Sequence, residues 1–168
     1  MAKNMVTAAV AKLLLVDFEE DKDYLLHMEQ KCCSYTCGVN EEPFITDYNY
    51  HTFRKLITDI DQRIEKLKNA LDLHFTVPKI KIDDEILSAN SVQVRINHLL
   101  DTKARLHAMR KVIPNEKVYG MKQNLEYKHI AYDLEEVATD YARVCKEIIM
   151  LQFAYDMFLH TDLFEVED

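Results

Sequence analysis

Between residues 53 and 71, six apolar side chains return at alternating intervals of four and three: Phe53, Ile57, Ile60, Ile64, Leu67 and Leu71. That spacing gathers all six on one side of an α-helix, whereas a strand would need a change of side at every second residue. Asp59, Asp61, Arg63, Glu65, Lys66 and Lys68 fill the gaps, so one side of the helix is polar and the other needs a partner. The pattern predicts a helix over 49–74, with Asp47 or Asn49 supplying the cap oxygen. Phe75-Thr76-Val77-Pro78 ends it, and residues 76–82 alternate enough for a short extended segment.

The same rhythm recurs three more times. Leu14, Phe18, Leu25, Met28, Cys32 and Tyr35 carry it through a first helix over 3–35, interrupted by Asp21 and ended by Gly38, Asn40 and Pro43. Val92, Ile96, Leu99 and Leu106 carry it through a third helix over 84–112, with Asp83 as its cap and Pro114 as its stop. Lys103 and Arg110 occupy seam positions there, and Leu100 widens the seam. Leu134, Val137, Tyr141, Val144, Ile148, Leu151, Tyr155 and Phe158 run without a miss through a fourth helix over 133–160. Asp133 and Glu136 open it as a capping-box-like pair. Residues 115–128, with Gly120, read as a loop or loose hairpin.

Only 2 Gly and 3 Pro in 168 residues leave little material for tight turns. The expectation is therefore an all-α protein: one elongated helical domain over 1–168, its long antiparallel helices forming a hairpin or four-helix coiled-coil bundle. The second and fourth helices are expected to pair through their seams, the second through Phe53 to Leu71 and the fourth through Tyr141, Val144, Ile148, Leu151, Tyr155 and Phe158. Phe153 stands off the fourth seam, and a helix apolar on two sides calls for a second neighbour, so a homo-oligomer is expected.

A net charge of −8 opposes binding to polyanions, so nucleic acid is not expected as a partner. Charge is nonetheless uneven: residues 95–128 hold 8 Lys/Arg against 3 Asp/Glu. Arg95, Lys103, Arg105, Arg110 and Lys111 form a possible basic contact patch, with intramolecular or inter-subunit complementarity as the simpler role. The apolar run Val6–Val16 is split by Lys12 and followed by Asp17, too short to span a bilayer. It reads as the start of an amphipathic helix in a cytoplasmic protein.

The residues that could carry chemistry do not assemble into a catalytic pattern. Cys32, Cys33, Cys37 and Cys145 lack the paired spacing of a zinc site, and adjacent Cys32 and Cys33 point to different sides of one helix. They read as reduced thiols, Cys32 as a small seam residue. His27, His51, His74, His98, His107, His129 and His160 read as scattered surface or boundary histidines, although His98 and Asp101 share a helical side. Ser34, Ser88 and Ser91 sit in no strand-turn-helix elbow. No catalytic residue, metal or cofactor is expected.

Lys12-Leu-Leu-Leu-Val-Asp17, the link Val39-Asn-Glu-Glu-Pro43-Phe, the heptad helix Phe53–Leu71 and the closing Asp133-Leu-Glu-Glu with Thr161-Asp-Leu163 resemble the small bacterial proteins called septicolysin-like. Where that family carries an Asn-rich turn this chain reads Asp72-Leu-His74-Phe-Thr76, and Phe158-Leu159-His160 stands in place of its Asn-Trp. The resemblance implies an all-helical, oligomer-prone protein, and the family name hints at membrane lysis. The leading expectation is thus a non-enzymatic, self-associating scaffold or interaction protein. The alternative is a membrane-active protein of lysin type working through its amphipathic first helix, Val6 to Met28, with the acidic residues Glu19 to Asp23 opposing it.

Overall fold

The computed structural model describes residues 3–39, 41, 48–119 and 125–167. Asn40, Glu42, Pro43, Phe44, Asp47 and Gly120, named above, lie outside them. In chain order the described residues form β1 (Lys3–Thr7), α1 (Ala8–Cys32), α2 (Tyr50–Thr76), β2 (Pro78–Ile82), β3 (Glu85–Ser88), α3 (Ala89–Arg110), β4 (Glu116–Tyr119), β5 (Leu125–Lys128), α4 (Leu134–Thr161) and β6 (Leu163–Glu167). They group into two compact units, one of residues 1–77 and 157–168, the other of residues 78–156.

This is a mixed α/β chain, and it overturns the all-α expectation together with its coiled-coil and helical-bundle readings. Three antiparallel two-stranded sheets, β1–β6, β2–β3 and β4–β5, join the helices. Residues 3–7 and 85–88, expected to be helical, are β1 and β3. Each strand is four or five residues long, and β1 and β3 run straight into α1 and α3, so no breaker separates the two periods there. In unit 1 the seam side of α2 meets a neighbouring helix and a strand together.

In unit 1, α1 and α2 pack antiparallel. Lys22 Nζ lies 2.6 Å from Asp61 Oδ1, Lys68 Nζ lies 2.8 Å from Glu19 Oε1, and Lys12 Nζ sits 5.3 Å from the Phe75 ring centre. Thr7 caps α1, its Oγ1 accepting from the Val10 N–H at 3.3 Å, and Asn49 caps α2 by accepting from the Thr52 N–H at 3.1 Å. Ala8 and Ala11 are small enough to let the helices close on Leu67, Leu71 and Phe164. Strand β6 lies antiparallel to β1 in the register Lys3↔Glu167 to Thr7↔Leu163. With sides alternating, Val6, Phe164 and Val166 turn onto the helices and finish the core. Helix α1 ends at Cys32, short of the expected Tyr35. Gly38 is not left-handed; its N–H donates to Glu41 Oε2 at 2.8 Å.

In unit 2, β2 and β3 turn at Asp83-Asp84, where Asp83 takes the left-handed backbone (φ 50°) that Asp tolerates better than most residues. Asp83 is therefore a turn residue rather than the cap expected of it. Ser88 caps α3, its Oγ accepting from the Ser91 N–H at 3.2 Å. Buried Ile80, Ala89, Val92, Ile96, Val137, Val144 and Leu151 supply the unit's core residues. The expected loose hairpin is β4–β5, entered through left-handed Asn115 (φ 57°), whose N–H donates to the Lys128 carbonyl at 2.9 Å. Asp133 opens α4, its Oδ1 accepting from the Glu135 N–H at 2.8 Å.

Candidate interaction surface

All seam residues of the second and fourth helices fall on covered sides: Leu67, Leu71, Val144, Leu151 and Phe158 are buried, while Phe53, Ile57, Ile60, Ile64, Tyr141, Ile148 and Tyr155 are half-buried. Their partners lie within this chain. Helix α2 packs on α1 and β6. What remains outward therefore decides what the molecule offers.

On α4 the outward side is apolar at its middle. Ile149 is 69% and Phe153 67% exposed, one turn apart, with Met150 also exposed beside them. Lys146 precedes Ile149 by three residues and Asp156 follows Phe153 by three, so all four share the side opposite Val144 and Leu151. Gln152 Nε2 donates to Asp156 Oδ1 at 3.1 Å and steadies the carboxylate. On α1 the outward side reads Leu13, Asp17, Glu20 and Tyr24, with Leu13 71% and Tyr24 63% exposed and the two acids between them. The other side of α1 packs on α2 and β6.

The expected basic patch is divided. Arg95 bridges Glu147 Oε1 (2.8 Å) and Glu85 Oε2 (3.3 Å), and Arg110 lies 4.3 Å over the Tyr141 ring, so both are engaged within unit 2. Arg105 donates to Thr102 Oγ1 at 3.2 Å; Lys103 is half-buried and Lys111 exposed at the end of α3. Tyr132 adds a link by donating to the Met109 carbonyl at 2.9 Å.

One histidine departs from the surface reading. His74 is 4% exposed, stacked between Phe158 (4.8 Å between ring centres) and Phe164 (4.4 Å), with Nε2 3.5 Å from Asp162 Oδ2. The signal was present in the sequence, since extending the seam three residues past Leu71 lands on His74. An imidazole with a carboxylate beside it could orient a catalytic proton. Here phenyl rings cover both faces, which leaves no face for a substrate, and the group works as a joint between α2 and the α4–β6 corner.

Other candidates are modest. A recess of about 340 Å³ is lined by Lys66, Asn69, Ala70 and Glu165, and one of about 220 Å³ by Leu26, Glu29, Tyr50, Arg54, Ile57, Thr58 and Asp61. Neither has the apolar lining of a small-molecule site. Tyr48 donates to Glu29 Oε1 at 2.8 Å, and that hydrogen bond to a carboxylate, with some burial, pushes its phenol up to about 12. All four cysteines are outside disulfides, with Cys33 and Cys37 exposed and Cys32 and Cys145 half-buried. Among the described residues no three His, Cys, Asp or Glu side chains are grouped to hold a metal ion, and no helix is long and apolar enough to cross a membrane.

No protein-family model and no curated protein matches this chain. It is similar to a crystal structure of a functionally unknown conserved protein from Corynebacterium diphtheriae, over 98% of this chain and 100% of that one. The TM-score is 0.55 at 13% sequence identity, a likeness of fold alone.

Proposed function

We propose that the protein is a non-enzymatic, self-associating interaction protein that presents the outward side of α4. The supporting observation is the exposure of Ile149 and Phe153 at the centre of a helix whose opposite side already has its partners. Covering a side chain of either type contributes about 1.5–3 kcal/mol, so leaving both in water is costly for a molecule with no use for them. A single helix-on-helix contact sits at the small end of specific interfaces, below about 1,200 Å². Association in the micromolar range is therefore expected rather than an obligate oligomer.

Sedimentation velocity across about 1–200 μM tests this, since that range brackets the affinities such a contact reaches. Wild type is expected to shift from monomer towards a larger species as concentration rises. Phe153→Glu is expected to stay monomeric with unchanged circular dichroism. A wild-type protein that remains monomeric throughout the range would end this reading.

A further inference from the structure

The outward stripe of α4 has a property that its apolar character alone does not require: it is complementary to itself when reversed. Ile149 and Phe153 stand two residues either side of Leu151, and Lys146 and Asp156 five residues either side. Two α4 helices laid antiparallel across a two-fold axis at the level of Leu151 would bring Ile149 of each copy to the level of Phe153 of the other. In the same register Lys146 meets Asp156 at both ends. A two-fold contact demands this relation, because if residue i touches j then j must touch i. We propose that the partner of this surface is a second copy of this chain, docked through α4 in that antiparallel register; the inference rests on the self-association reading above.

Three further observations favour this occupant. The charges at the ends of the stripe are opposite in sign, so reversal pairs them instead of opposing them. Neighbouring charges on α4 are already engaged within the chain and do not intrude: Arg143 Nη2 lies 3.0 Å from Asp140 Oδ1, and Glu147 is held by Arg95. The other outward apolar stripe, on α1, fails the same test. Reversing Leu13-Asp17-Glu20-Tyr24 sets Asp17 against Glu20 at the centre of the contact, where two carboxylates repel. Among these two stripes, only that of α4 can bind its own copy.

The test is a charge-swap series followed by sedimentation velocity: wild type, Lys146→Glu, Asp156→Lys, the double variant, and an equimolar mixture of the two single variants. Either single swap puts like charges at both ends of the contact and is expected to raise the dimer dissociation constant about tenfold. The double variant restores opposite signs within each homodimer and is expected to return to within about threefold of wild type. The mixture is expected to recover as well, because a heterodimer of the two single variants pairs opposite charges at both ends. Rescue by the double variant is what separates the antiparallel register from a parallel one, in which position 146 would face its own copy, position 156 likewise, and like charges would meet. A dimer indifferent to the single swaps, or not rescued by the double variant and the mixture, would overturn the register while leaving self-association standing on another surface. A wild-type protein that never dimerises would overturn both. All the swapped side chains are on the outward side of α4, and circular dichroism of each variant separates a weakened contact from a lost fold.

Discussion

In unit 1 the fold is closed by apolar contact: Phe164 from one end of the chain seats among Ala8, Ala11, Leu67 and Leu71 from the other. In unit 2 polar joints are prominent, with Arg95 bridging two glutamates, Arg110 stacked on Tyr141 and Tyr132 tied to the α3 carbonyl of Met109. Their outward chemistry differs too. Unit 1 carries 9 Lys/Arg against 17 Asp/Glu, whereas unit 2 is balanced at 12 against 12. The −8 of the whole chain therefore belongs to unit 1. Two regions made from the same sort of amphipathic helix thus differ in charge: unit 1 carries the excess of carboxylates, and unit 2 is neutral on balance. Residues facing inward decide the fold, while those left outside decide the company it keeps.

The contrast in how the units are held is broken most directly at Phe164. Phe164→Ala removes the buried ring that covers both alanines and stacks on His74, and is expected to destabilise unit 1 by about 3–5 kcal/mol. Amide hydrogen exchange localises the loss, with faster exchange in α1 and α2 than in α3. A loss below about 1 kcal/mol would mean that the clasp is not what closes unit 1. A smaller effect is expected for the polar joints. A double-mutant cycle on Arg95 and Glu147, both partly exposed, should give a coupling of about 0.5–1 kcal/mol, read by urea denaturation. If that coupling rivalled the Phe164 loss, the two units would not differ in kind.

Smaller still is the expected effect of Ile149→Ala on the monomer, within about 0.5 kcal/mol, because its side chain is outward; its consequence should appear only in association. Subtlest is Tyr48, whose contribution depends on pH. Its phenol is held protonated by Glu29, with the folded value raised from 10.0 to about 12. The unfolded chain then releases this proton first as pH rises, so the stabilisation is fully present below pH about 10 and is lost on the way to about 12. Tyr48→Phe should remove that component, read as a flatter alkaline stability profile and as the loss of the last-titrating tyrosinate absorbance. If the tyrosinate step lost on substitution lay near the ordinary value of 10.0, Glu29 would not be what holds this phenol.

Much of this architecture was legible in the sequence. The heptad spacing found the covered side of α2 from Phe53 to Leu71 and of α4 from Val137 to Phe158, and Asn49 and Asp133 were read as caps. Phe153 was visible as a residue without a place in its helix's seam. The strands were not legible, for a physical reason. Asn4-Met5-Val6-Thr7 alternates for too few residues to outweigh the helical run behind it, and its partner Leu163–Glu167 lies at the other end of the chain. Local pattern cannot see a pairing that only the tertiary fold creates. His74 was misread because residue type was weighed above its position on the seam. The self-complementarity of Lys146, Ile149, Phe153 and Asp156 became visible only once the opposite side of α4 was known to be occupied.

The clasp also sets an order of events during synthesis. Unit 1 is interrupted by the whole of unit 2, residues 78–156. At about 5–20 residues per second, a ribosome needs roughly 4–16 s to pass that insertion. Throughout that time α1 and α2 have been made, but Phe158 and Phe164 have not, so His74 and the small residues of α1 wait without their cover. The interval is a window in which the nascent chain has the most to gain from a chaperone, and the last strand to emerge closes it.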